Sequence, residues 1–459
     1  MKTNRLFLFA VALIGAMSLV LSARTPAVLH EASAESVRLR VDVDRTVLPS
    51  ESTERAIIKI GLDGVRLPHR EMRPPVNLAI VIDRSGSMAG DKIAKAREAA
   101  IEGVRRLAPD DIASLIVYDT NVQTLVPAQR VGDGRRLEQA IRGIEVGGNT
   151  ALHGGVTRGA AEVRRHMEDR RFINRVILLS DGLANVGPSS PEELGRLGTS
   201  LMKEGISVTT IGLGLGFNED LMTRLAQRSD GNTYFVEHSG DLPRIFAAEL
   251  GDVLNVVARR VVIEIDFPAG VRPLNFVGRD GTIRGQRAEL TLNQLYGGQE
   301  KFALVEVEVS PSRSGVEIEI ASARVSYEDA LNQRATTLTA KRNVQFSGSR
   351  TEVVSSADHK VQADYAVNAL AVAKDEAVVL VDAGRRDLAA AKMRQRADDM
   401  RAMGSIYSNA AVQKAAAPAA AEADRVEKEG LGNAERKIYR AESAATRSQQ
   451  SVGSPSSGR

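Results

Sequence analysis

From residue 76 to about residue 254, short apolar runs alternate with segments of helical period. The runs are VNLAIVI (76–82), IASLIVY (112–118), RVILLS (175–180), ISVTTIGL (206–213) and TYFV (233–236). Candidate helices fall between and after them, at 91–107, 135–143, 151–168, 191–204, 218–229 and 241–254. A strand with one wet face alternates apolar and polar residues, so runs this apolar must be covered on both faces. With helices between them, the economical arrangement is α/β: a doubly wound, mostly parallel sheet.

The flanks follow a different rule. In SVRLRVDVD, Val37, Leu39, Val41 and Val43 face one way, and Arg38, Arg40, Asp42 and Asp44 the other. RAIIKIGL (55–62) reads as the neighbouring strand, and period-two runs return after 258 in RVVIEIDF, RAELTL, KFALVEVEV and GVEIEIASARV. An isolated strand pair at 36–62 would not be stable. One antiparallel β-sandwich, with the α/β domain inserted into it, accounts for both sets.

The predicted divisions are an N-terminal segment (1–34), first sandwich strands (35–72), the α/β domain (73–254), the rest of the sandwich (255–347), a helical segment (355–405) and a tail (410–459). Gly384 is the expected break inside the helical segment. The tail, rich in Ala, Ser, Gly and Pro, offers little apolar surface to bury and is predicted to be disordered.

The chain has no cysteine, which excludes disulfides, thiolate metal sites and a cysteine nucleophile. It has no tryptophan and few aromatics, and its net charge is +3, so no nucleic-acid partner is expected. Lys2 and Arg5 precede LFLFAVALIGAMSLVLSA (6–23), the pattern of an export signal. Ala32 and Ala34 supply a small-residue cleavage pattern, and the apolar stretch is also long enough to stay as a single membrane anchor. Either outcome places the remainder outside the cytoplasm: periplasmic, secreted or anchored.

The first apolar run stops at Asp83, in VIDRSGSMAG. Ser85 and Ser87 follow at alternate positions, so an extended loop can aim both hydroxyls at one point. Asp181 ends the strand VILLS, and Thr150 follows two glycines in VGGNTALHGG. Ligands of open α/β sheets lie outside the carboxyl ends of the strands. Two carboxylates and three hydroxyls there suit a hard cation, Mg²⁺ or Mn²⁺, over zinc or copper. Neutral hydroxyls leave much of the ion's charge uncompensated, so an outside carboxylate can complete its octahedron.

Asp83-Arg84-Ser85-Gly86-Ser87 resembles the D-x-S-x-S motif of von Willebrand factor type A domains. Gly147-Gly148-Asn149-Thr150 and Ser180-Asp181-Gly182 resemble that family's second and third loops, in the family's order. The resemblance implies a metal-ion-dependent adhesion site. Ser85, Ser87 and Thr150 would touch the metal; Asp83 and Asp181 would hold its waters or bind it directly; a partner's Asp or Glu would fill the last position. The wider arrangement is similar to bacterial exported proteins that set this domain into a β-sandwich.

Each feature has a plainer reading. Asp83, Ser85 and Thr150 could cap helices, and Asp181 could open a turn. GLGLG (212–216) lacks the spacing of a dinucleotide loop and reads as turn glycines. Asp119 reads as a turn residue, and His153 as a surface or packing residue. The leading function is a non-enzymatic binding module. A scaffold with a structural metal that binds through its C-terminal helices is the alternative. Metal-dependent phosphoryl transfer is opposed by the want of a nucleophilic aspartate pair, general base or phosphate loop beside the site.

Overall fold

A computed structural model describes residues 31–34, 36–66 and 73–452. The apolar export or anchor stretch lies outside the described residues. Four strands come first: β1 (Glu31–Ser33), β2 (Val37–Val43), β3 (Val47–Pro49) and β4 (Glu54–Gly64). Glu31–Ser33, which the boundary at 34 assigns to the N-terminal segment, pairs antiparallel with β2.

The α/β domain follows: β5 (Val76–Asp83), α1 (Asp91–Val104), β6 (Ile112–Tyr118), β7 (Val122–Arg130), α2 (Arg135–Arg142), α3 (Leu152–Arg164), β8 (Ile173–Ser180), α4 (Pro191–Glu204), β9 (Ile206–Leu213), α5 (Glu219–Arg228), β10 (Thr233–Val236) and α6 (Leu242–Val253). Its sheet runs β10-β9-β8-β5-β6-β7, parallel except for β7. Strand β7 escapes the sequence pattern because it is an edge strand, half exposed and holding Pro127. Residues of α1, α2 and α6 pack on one face of the sheet and residues of α3, α4 and α5 on the other. That double covering is why β5, β6 and β9 are buried along their whole length, and β8 at every residue but Asn174.

The chain then returns to the sandwich through β11 (Val256–Asp266), β12 (Val271–Val277), β13 (Thr282–Arg284), β14 (Arg287–Tyr296), β15 (Gln299–Val309), β16 (Glu317–Asp329) and β17 (Ala335–Ser347). One sheet is β1-β2-β4-β15-β12 and the other β13-β14-β11-β16-β17-β3. Pairing is antiparallel except between β3 and β17. Val37, Leu39, Val41 and Val43 point into a core shared with Ile263, Ile265, Leu290 and Val325 of the opposite sheet. The α/β domain is thus inserted between β4 and β11.

Five helices close the chain: α7 (Arg350–Ser355), α8 (His359–Asp382), α9 (Arg386–Ile406), α10 (Ala410–Glu429) and α11 (Asn433–Arg447), followed by β18 (Gln450–Val452). Gly384 sits between α8 and α9 at φ +74°, the left-handed region glycine tolerates. Helix α8 covers the outer face of the β4 sheet, where Val361 meets Ile57, Phe302 and Leu304. It also buries Lys59, which pairs with Glu300 at 2.7 Å and Asp364 at 2.6 Å.

The expected disorder from 410 is corrected. Residues 410–447 form two packed helices, and only 453–459 of that tail lie outside the described residues. The reason is size. Ala416, Ala419 and Ala423 are at most 2 % exposed, so low apolar area per residue is offset by close helix contact.

Candidate metal centre

The sheet order reverses between β5 and β8, which lie side by side. Their carboxyl ends bring Asp83 and Ser180 to one crevice, the place where such sheets bind ligands. Asp83 is fully buried. Its Oδ1 accepts the Ser85 backbone N–H at 2.8 Å and its Oδ2 the Ser180 hydroxyl at 2.6 Å. Burial pushes the Asp83 carboxyl above its ordinary range, and the Ser180 and Ser85 donors pull it back.

Ser85 and Ser87 converge, but not on the expected extended loop: Ser87 lies in a single 3-10 turn (Gly86–Met88) that Ser85 precedes. Their hydroxyl oxygens are 3.1 Å apart, and the Ser87 hydroxyl donates to Asp181 Oδ1 at 2.7 Å. Asp181 is fully buried, and its other oxygen accepts from the Lys92 ammonium of α1. Thr150 is 4 % exposed and fixed through its backbone. Its N–H donates to Asn185 Oδ1 at 2.8 Å, and its carbonyl accepts from Asn185 N at 3.1 Å. The Thr150 and Ser87 hydroxyls meet at Gly182, where a Cβ would lie 3.0 Å from the first and 3.4 Å from the second. All five predicted residues are therefore in one cluster.

The first and second loops are stitched together. Gly86 N–H donates to Gly148 O at 3.1 Å, and Gly147 N–H to Arg84 O at 2.8 Å. Asp119 holds Arg84 by an ion pair at 2.9 Å and accepts the Asn121 N–H at 2.7 Å. It is a turn residue that also steadies the loop.

Capping does not explain the site. Helix α1 begins at Asp91, after Gly90, and α3 at Leu152, after Ala151; neither has a side-chain cap bond. The GLGLG segment serves close approach. A Cβ on Gly216 would come within 2.7 Å of Asp181 O. That loop is gripped from outside the domain by α11: Asn433 Nδ2 donates to Leu215 O at 3.2 Å, and Lys437 Nζ to Phe217 O at 2.7 Å.

The donor set fits a hard divalent cation. Every candidate ligand is an oxygen, three of them neutral hydroxyls, and a resident ammonium already sits against Asp181. Among the described residues no group of three or more His, Cys, Asp or Glu could hold a metal. Lys92 and Asn185 were not singled out from the sequence, and Ser180 and Gly182 were named only as neighbours of Asp181 in the third loop. Lys92 alone left a signal: a lysine in the first turn of a helix faces the positive end of the macrodipole and needs a counter-charge.

Residues 77–248 match the model of the von Willebrand factor type A domain. A solved structure, "von Willebrand factor type A from Catenulispora acidiphila", superposes with a TM-score of 0.65 over 86 % of this chain and 97 % of that one, at 15 % identity. Residues 77–248 form a von Willebrand factor type A domain. The chain is also similar to protein sll0103 of Synechocystis sp., 25 % identical over 63 % of this chain and 71 % of that one. Inter-alpha-trypsin inhibitor heavy chain H3 of Homo sapiens is 29 % identical over 42 % of this chain. That match spans 22 % of the heavy chain's own length. Among the described residues no helix is long and apolar enough to cross a membrane.

Proposed function

We propose that the protein is an extracytoplasmic, non-enzymatic binding module whose type A domain captures an acidic side chain of a partner protein through a bound Mg²⁺ or Mn²⁺. Ser85, Ser87 and Thr150 would hold the ion, with Asp83 and Asp181 behind them. The observation that carries this reading is the state of the two carboxylates. Both are buried, and each already accepts two donors. An ion held mainly by hydroxyls keeps most of its charge and draws in a carboxylate from outside. The charged and apolar start of the chain supports the extracytoplasmic placement.

The alternative, binding through the C-terminal helices, has less to stand on. Helix α8 is spent on the sandwich and α11 on α5, through Lys437–Glu219 at 2.5 Å and Arg440–Asp220 at 2.6 Å.

Linkage tests the reading. Mg²⁺ is titrated calorimetrically into the full chain with and without sodium glutamate as a free carboxylate. Ion and carboxylate are expected to tighten each other's binding by one factor, by thermodynamic reciprocity. An ion affinity indifferent to glutamate would remove carboxylate capture from the account.

A further inference from the structure

We propose that Lys92 is the exchangeable cation of this site: it neutralises Asp181 until a divalent ion does, and then anchors the partner's carboxylate. The inference rests on the metal-dependent reading and deepens it.

The ammonium of Lys92 stands where three demands meet. It pairs with the fully buried Asp181 and donates to Ser87 O at 3.3 Å, so it lies against two residues of the proposed metal cluster. Its side chain is 34 % exposed, so the charge is at the mouth of the site, within reach of an arriving group. A buried carboxylate without a cation is costly, and Lys92 is the cation the chain itself supplies to Asp181. A divalent ion entering among Ser85, Ser87 and Thr150 takes over that task and repels the ammonium.

The displaced side chain has somewhere to go. Lys92 also lines an open cavity of about 400 Å³, with Asp91, Leu213, Gly214, Glu237, His238 and Ser239. Gly214, at φ +71°, leaves room beside it: even a Cβ there would be 3.6 Å from Lys92 Cε. Asp91 is engaged by the Ser239 hydroxyl at 2.6 Å, so it does not compete strongly for the ammonium. An acidic side chain reaching the ion would thus find a second positive group at the rim. One residue would oppose metal binding and favour carboxylate binding.

That crossed sign is the test. Mg²⁺ binding to the full chain is measured by calorimetry without added carboxylate, and glutamate binding is measured at saturating Mg²⁺. Lys92→Met is expected to bind Mg²⁺ about tenfold more tightly and glutamate about tenfold more weakly, the scale of one contact charge at a partly exposed site. Lys92→Arg, which keeps the charge, is expected to follow the wild type in both. If both affinities fall in Lys92→Met and the thermal midpoint drops, Lys92 is structural and the proposal is overturned. Unchanged affinities in a variant of a Mg²⁺-binding wild type overturn the Lys92 role alone. Absence of Mg²⁺ binding in wild type and variant alike overturns the metal-dependent reading, and this one with it.

Discussion

Gly182→Val is expected to weaken Mg²⁺ binding about 100-fold while the protein stays folded, the upper range for disturbing groups that orient metal ligands. Gly182 does not have a positive φ, so the left-handed region does not demand glycine there. The effect is one of space. A Cβ would stand 3.0 Å from the Thr150 hydroxyl and 3.4 Å from that of Ser87, and the added methyls would push between them. Those two hydroxyls come from different loops, and in the proposed site the ion would need both. Overpacking should cost about 1–3 kcal/mol of stability, which a thermal midpoint will register separately. Calorimetric affinity equal to wild type would mean that the ion is not held between Thr150 and Ser87.

Arg175→Met is expected to destabilise the protein by about 3–5 kcal/mol, the range for breaking a buried ion pair from one side. Arg175 lies on β8 at the end opposite Ser180 and is fully buried. Its guanidinium is 3.4 Å from the fully buried Glu249 of α6 and donates to Thr209 Oγ1 at 3.0 Å and Gln294 Oε1 at 2.8 Å. It also donates to the Tyr296 hydroxyl. Gln294 and Tyr296 belong to β14, so this one side chain ties the base of the type A domain to the sandwich. Adding Glu249→Gln should recover part of the loss, because the orphaned carboxylate is then neutral. Denaturant unfolding of the single and double variants measures both. A loss below about 1 kcal/mol in Arg175→Met would show that hydrogen bonds from Asn232 and Tyr234 satisfy Glu249 without it.

The parts legible in the sequence are those where local chemistry and global packing agree. Helix α4 spans 191–204, as its pattern predicts, because Ser190 and Glu193 close a capping box, Pro191 takes the first turn and Gly205 ends it at φ +81°. The strands of the parallel core were readable because burial on both faces leaves unbroken apolar runs. The five candidate site residues were legible as a group because Asp83 and Asp181 mark strand ends, Ser85 and Ser87 follow the first of them, and Thr150 follows paired glycines. Long-range properties were not. Nothing local says that the charged outer face of β4 is roofed by α8, or that Lys59 is 1 % exposed beneath it. The alanines of α10 read as disorder because composition records how little each buries, and Pro418 inside the helix reads as a break. Lys92, in the first turn of its helix, hints at a counter-charge but not at which one until Asp181, 89 positions away, is placed against it.

Three hydroxyls and two carboxylates at the sheet's switch point are proposed to hold a divalent ion. The direct measurement is calorimetric titration of Mg²⁺, then Mn²⁺, into the full chain, beside Asp83→Ala and Ser85→Ala/Ser87→Ala. Saturable binding is expected in the wild type, lost in both variants while they remain folded. A folded wild type that takes up neither ion, with or without glutamate, would contradict it.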